Sequence, residues 1–140
     1  NKFEESLKCY FKVEYLSPDN KKVSKPLAWC SFVSGKKEQA EKYFKKLIND
    51  EPNKHDLMNM GHVQWSIGNR KSALDFYKQS ITQTEFTESE FFEVFDEDLP
   101  YLIEQGVDKE DVPIMLDQLR YFVAEQWLFS FICKHICKSI

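Results

Sequence analysis

The side chains able to do chemistry are few, and their spacing does not assemble them. Cys133, His135 and Cys137 alternate near the end of the chain. On a helix Cys133 and Cys137 share a face while His135 points elsewhere. A structural zinc site wants about four ligands, and no second Cys/His pair at a suitable spacing accompanies these. His55 and His62 lie two turns apart on a helical pattern with no Glu between them. Asp96, Glu97 and Asp98 read as a solvated face rather than as paired catalytic carboxylates. Neither a glycine-rich phosphate loop nor a nucleophile motif is present. The expectation is a chain with no catalytic site, no metal and no cofactor.

Composition narrows the class further. At 140 residues the chain has the length of one domain and can bury a core without staples. A hydrophobic content of 42% with 15% aromatics argues against disorder, and only four Gly and five Pro point to helices joined by short turns. The net charge of −4 does not advertise nucleic acid. It is unevenly spread, however. Residues 1–54 hold 12 Lys against 8 Asp and Glu, whereas residues 85–117 hold 12 Asp and Glu against one Lys. These are either solvated helix faces or two surfaces of opposite sign that steer partners, or two copies, together. Cys9, Cys30, Cys133 and Cys137 lack the spacing of a disulfide scaffold, which favours a reducing compartment and a cytoplasmic location. No apolar run reaches the roughly 18 residues needed to span a bilayer, and membrane contact is not expected. The chain opens without Met inside a helical pattern, as a fragment of a longer protein would.

The elements that carry these residues follow from one fault in a helical pattern. In "WSIGNRKSALDFYKQSI", Trp65 to Ile81, Gly68-Asn69 stands where a helix would want Ala or Leu. Apolar residues keep helical spacing on both sides, so the stretch is two helices joined at a turn. Gly supplies the positive φ that ends the first helix, and Asn69 tolerates the same region. The arrangement also occurs upstream: Gly35, Ala40, Phe44 and Pro52 precede Gly68, Ala73, Tyr77 and Glu85, each by the same offset. A truncated earlier copy places Ser6, Tyr10 and Pro18 ahead of Ala40, Phe44 and Pro52 by an offset one position longer.

Two helices per unit and a period of about 33–34 residues resemble the tetratricopeptide repeat. The resemblance covers residues 1–85: the second helix of one repeat, then repeats at about 21–53 and 54–86. Small Gly61 and Ala73 let helices approach, Phe44 and Tyr77 fill the space between units, and Pro18 and Pro52 stop second helices. The sequence departs from the pattern at Ser31 and Gln64, where an aromatic is usual, and at Glu85, which replaces a proline. Residues 86–140 read as a divergent unit and a capping helix. Phe91, Phe92, Phe95, Leu99, Leu102 and Ile103 form a first stripe that ends at Gly106. Asp108 or Asp111 caps a helix holding Pro113 in its first turn, and one more helix begins near Val123. The expected fold is therefore all-α, a right-handed superhelix of tetratricopeptide-like repeats with a divergent C-terminal helical cap.

The resemblance implies that the first helices of successive units line a concave surface. With Leu27, Ala28 and Ser31 assigned to the core of one repeat, Lys22, Lys25, Trp29 and Phe32 are left on a neighbouring face. With Leu57, Met60, Gly61 and Gln64 assigned to the core of the next, His55, Met58, His62 and Trp65 are left. These eight residues are the expected peptide groove, unless neighbouring helices bury them. Aromatic anchors edged by Lys suit an acidic or carboxylate-bearing protein or peptide partner. The other expectation is a structural, self-associating module. Its last helix, apolar nearly all round through Trp127, Phe131 and Ile136, must then be covered on several sides: in its own groove, in a second copy, or against another part of a longer parent chain.

Overall fold

The computed structural model describes residues 2–18, 20–83 and 86–136, and for Lys21, His135 and Ile136 the backbone alone. Every regular element among them is a helix: α1 (Lys2–Leu16), α2 (Lys21–Val33), α3 (Lys37–Asp50), α4 (Lys54–Ser66), α5 (Arg70–Thr82), α6 (Glu88–Glu104) and α7 (Asp111–Ile136). Glu85 and Cys137 lie outside the described residues.

Sequence signals set most of the helix boundaries. Asn20, Asn53 and Asn69 each accept hydrogen bonds from first-turn amides of α2, α4 and α5, satisfying donors that a helix start leaves open. Thr87 and Glu90 form a reciprocal capping box at the start of α6. Three helices end alike. Gly35, Gly68 and Gly106 have φ of 78°, 85° and 96°. Gly35 N–H donates to the Phe32 carbonyl and Lys36 N–H to that of Ser31; the bonds from Gly68 to Trp65 and from Asn69 to Gln64 repeat the pair one unit later. Gly106 to Ile103 and Val107 to Leu102 make a third copy of this Schellman turn. Asn69 departs from expectation here. Its φ is −90°, because Gly68 alone completes the reversal and leaves Asn69 to cap α5.

Contacts divide the chain into two compact units, Asn1–Val107 and Asp108–Ile140. Helix α6 lies in the first of these units. Within the first unit α1 to α5 pack successively, each against the next. Leu27, Ala28, Ser31, Leu57, Met60, Gly61 and Gln64 are buried, as their core assignment requires. Ala40 and Phe44 on α3, and Ala73 and Tyr77 on α5, are buried at matching places. Gly61 has a direct reason to lack a side chain: a β-carbon there would overlap the Tyr77 ring. At the chain's start, Leu7, Val23, Leu27 and Cys30 form a cluster against which Phe3, Tyr10, Phe11 and Tyr43 pack.

Among its described residues, the second unit is one helix and the turn that starts it. Asp108 Oδ1 accepts from Glu110 N–H at 3.0 Å just before α7 begins. Helix α7 then runs unbroken for 26 residues, where the sequence suggested a new helix near Val123. No Gly, Pro or cap lies between Tyr121 and Ala124, so nothing interrupts the backbone. Val112, Met115 and Leu119 in its first half are buried. Its second half is not covered on several sides: Tyr121, Trp127, Leu128, Phe129, Phe131 and Ile132 are exposed. Among the described residues no helix is long and apolar enough to cross a membrane.

Candidate functional site

The eight expected groove residues form two matching lines, since each residue on α2 has its counterpart one repeat later on α4. Lys22, Lys25, Trp29 and Phe32 correspond to His55, Met58, His62 and Trp65. Both lines run from the N-terminal end of a helix to its C-terminal end, and both pass from exposed to buried. Lys22, Lys25 and His55 are exposed, Trp29 is half-buried, and Phe32, Met58, His62 and Trp65 are buried. The last four therefore do not line an open groove. Over His62 and Trp65 the cover includes Phe95 of α6, in the same unit.

Helix α6 covers the stripe with aromatic edges. The Phe95 ring packs 5.5 Å from His62 and 6.2 Å from Trp65, and Phe86, just before α6, meets His55 at 5.1 Å. Tyr101 packs edge-on against Trp29 at 5.5 Å and against Phe3 at 6.1 Å. Apart from the tilted Trp65–Phe95 pair these contacts are edge-to-face, a favourable arrangement for aromatic quadrupoles. The C-terminal end of α6 is tied down through polar atoms. Lys37 Nζ donates to the carbonyls of Ser66 and Gln105, at 2.8 and 2.7 Å, and Gln105 Nε2 donates to the Val33 carbonyl at 3.2 Å. Lys54 reaches Glu90 at 3.8 Å, so part of the basic first third meets part of the acidic segment within the chain.

His62 joins three helices in this covered region. Its Nδ1 is 2.7 Å from the Tyr77 hydroxyl on α5, and its Nε2 is 3.3 Å from Asp98 Oδ2 on α6. Burial, with the Asp98 charge nearby, holds the Tyr77 phenol well above its ordinary range, so it keeps its proton. The Tyr77 hydroxyl at Nδ1 and the Asp98 carboxylate at Nε2 thus give each ring nitrogen a hydrogen-bond partner. This satisfies every polar atom of a fully buried imidazole and makes His62 a core connector rather than a groove residue.

The open end of the two lines is polar. Lys25 Nζ lies 3.2 Å from Asp56 Oδ2, in the first turn of α4. Asp56 is itself buried; desolvation raises its carboxyl above the usual range, and the Lys25 charge works against that shift. Lys25 and Asp56 border a cleft of about 620 Å³ whose walls also include Ser24, Lys46, Asp50 and Asn53. Lys22 is exposed on α2 close by in sequence, and His55 on α4. The arrangement can hold a ligand by charge and hydrogen bonds at its rim, with the half-buried face of Trp29 beyond.

Sequence reasoning missed Asp56, Asp98, Phe86 and Tyr101. Asp56 and Asp98 each lie on a different helix from the group they meet, and no local spacing announces such pairs. The signal for Tyr101 was available: α6, with 17 residues against 13 in α2, α4 and α5, carries aromatics on more than one side, whereas Phe86 lies in the connection before it. Of the cysteines, Cys9 and Cys133 are exposed, while Cys30 is buried and its thiol is pushed up by desolvation. Among the described residues no three His, Cys, Asp or Glu side chains group as a metal site would need. In comparisons with protein-family models, with curated proteins and with solved structures, nothing matches this chain.

Proposed function

We propose that the chain is a non-enzymatic protein-interaction module, a right-handed superhelix of tetratricopeptide-like repeats that holds a peptide of a partner protein. The observation that carries this reading is the repeat itself. Two successive helix pairs share the same Schellman turn, the same small-then-aromatic pair on the second helix and the same exposed-to-buried line on the first. Such a framework presents side chains from successive units at fixed spacing without needing a reactive group. The ligand contact lies at the open end, where Lys22 and Lys25 precede Trp29 on one face of α2. Two exposed lysines beside an aromatic favour an acidic peptide or a free carboxylate.

A peptide library with free C-termini, selected against the intact chain, tests this. Selected peptides should be rich in Asp and Glu, and should lose affinity on Lys22→Glu and on Trp29→Ala while the variants keep their helicity. Selection of no peptide, or of peptides indifferent to both variants, would contradict it.

A further inference from the structure

We infer that α7 is a pairing element for a second copy of this chain, through a short parallel two-helix seam over its second half. This goes beyond the peptide-binding reading and rests on different residues. Its starting point is the geometry of a single helix. Every seventh residue returns to nearly the same face, so Ile114, Tyr121 and Leu128 share one line, and Asp117, Ala124 and Phe131 the line beside it. The residues buried in the first half, Val112, Met115 and Leu119, occupy the reverse of the helix. Whatever buries that reverse face cannot also cover Tyr121 and Leu128. The exposed apolar surface of the second half therefore needs a separate occupant.

Charge on the flanks of the seam says which occupant fits. Arg120, Trp127 and Lys134 line one edge, and Glu125 and Ile132 the other. In a parallel pair of identical helices, the first edge of one copy faces the second edge of the other, five positions further on. Arg120 then meets Glu125 of the second copy, and Trp127 meets its Ile132, once on each side of the two-fold axis. The core between them is Tyr121, Ala124, Leu128 and Phe131, four residues exposed in the single chain. An antiparallel pair would set the Arg120–Trp127–Lys134 edge against itself, cation facing cation. Within the monomer Arg120 reaches Asp117 at 3.8 Å, a long contact between two exposed groups. Asp117 also ends the seam, because two such carboxylates facing each other would repel. The pairing so defined is about two heptads long, a length that gives a concentration-dependent dimer rather than a permanent one.

The test is sedimentation of the intact chain from about 1 μM to about 1 mM, a range that brackets weak association. The expected result is a monomer–dimer equilibrium. Leu128→Asp should weaken it by about thirtyfold or more, as loss of a central interface residue does, without lowering helicity. Arg120→Glu and Glu125→Arg should each weaken it several-fold, and the two together should restore it. Lys134→Glu, which would favour an antiparallel pair, should not strengthen it. A monomer throughout the range would overturn the proposal. A dimer indifferent to Leu128→Asp, or a double charge exchange that fails to restore pairing, would do the same. So would a chain that stays monomeric yet binds phosphatidylserine-containing vesicles through the same residues. None of these results bears on peptide selection at Lys22 and Trp29, so the two readings fail separately.

Discussion

Trp65 on α4 and Trp127 on α7 are both large aromatics on helices, yet they end in opposite surroundings. Trp65 is 5% exposed, ringed by Tyr77 and Phe95; Trp127 is 65% exposed and stacks on Phe131 of its own helix. The difference lies in what the rest of the chain supplies. Helix α6 and the residues that lead into it bring Phe86, Phe95 and Tyr101 to the α2 and α4 lines, together with Asp98 for His62 and the Gln105 carbonyl for Lys37. On α7 the buried residues face the other way, and Tyr121, Leu128 and Ile132 keep solvent contact. An aromatic stripe therefore reports a demand for cover. It does not report whether the cover is part of the same chain.

The sharpest way to break this comparison is to truncate the two tryptophans in turn. Trp65→Ala should cost about 3–5 kcal/mol of stability, as removal of a large buried aromatic does. Trp127→Ala, measured at a dilution where the chain is monomeric, should change stability by no more than about 0.5 kcal/mol. Equal costs in chemical denaturation would show that the two regions are not different in kind.

Next in size is the floor beneath the covered stripe. Gly61→Ala puts a methyl group into the Tyr77 ring and should destabilise by about 1–3 kcal/mol through overpacking. This outweighs the roughly 1 kcal/mol that Ala ordinarily contributes over Gly inside a helix. A rise in melting temperature would mean that Tyr77 can move aside, and that the seat of Phe91 and Phe95 is soft.

Gly68 offers the contrasting case, since it has open space around it but a φ of 85°. Gly68→Val should cost about 1–2 kcal/mol from backbone strain alone. A cost as large as that of Trp65→Ala would place hidden packing at this turn.

The smallest effect near neutral pH, but a diagnostic one, is alkaline destabilisation. Burial and the nearby Glu14 carboxylate, which accepts a 2.5 Å hydrogen bond from the Tyr43 hydroxyl, push that phenol up to about 12. Tyr77 is raised as well. A raised folded-state value means that the native chain keeps protons the unfolded chain loses. This stabilising contribution is complete below about pH 10, the ordinary phenol value, and for Tyr43 is lost as pH rises toward about 12. Tyr43→Phe should flatten part of the fall in denaturation midpoint over that window. An unchanged slope would mean that Tyr43 is as free to ionise in the folded chain as in the unfolded one.

How far the sequence could be read depends on the range of the interaction involved. Gly35, Gly68 and Gly106, the three capping asparagines and the Thr87–Glu90 box act within a few residues, and the helix boundaries follow from them. The small residue at Gly61 and the aromatic at Tyr77 are legible because the repeat places them at corresponding positions. Whether Trp65 faces solvent is set by Phe95, on a helix two elements further along and longer than the others. The repeat period says nothing about where those extra turns lie. The same limit hid the Lys25–Asp56 pair and the link from His62 to Asp98. In α7, local propensity gives the helix, but no local signal tells that Leu119 is buried while Leu128, on the same helix, is exposed.

The most direct measurement uses the three native tryptophans, one in each environment: Trp29 half-buried, Trp65 buried and Trp127 exposed. Three variants, each keeping one tryptophan and carrying Phe at the other two positions, would be titrated with iodide at high dilution. The account predicts blue-shifted emission and weak quenching for Trp65, intermediate quenching for Trp29, and strong quenching for Trp127. Raising the protein concentration should protect Trp127 alone. Ready quenching of Trp65 would contradict the covered stripe, and protection of Trp127 at every concentration would contradict the open one.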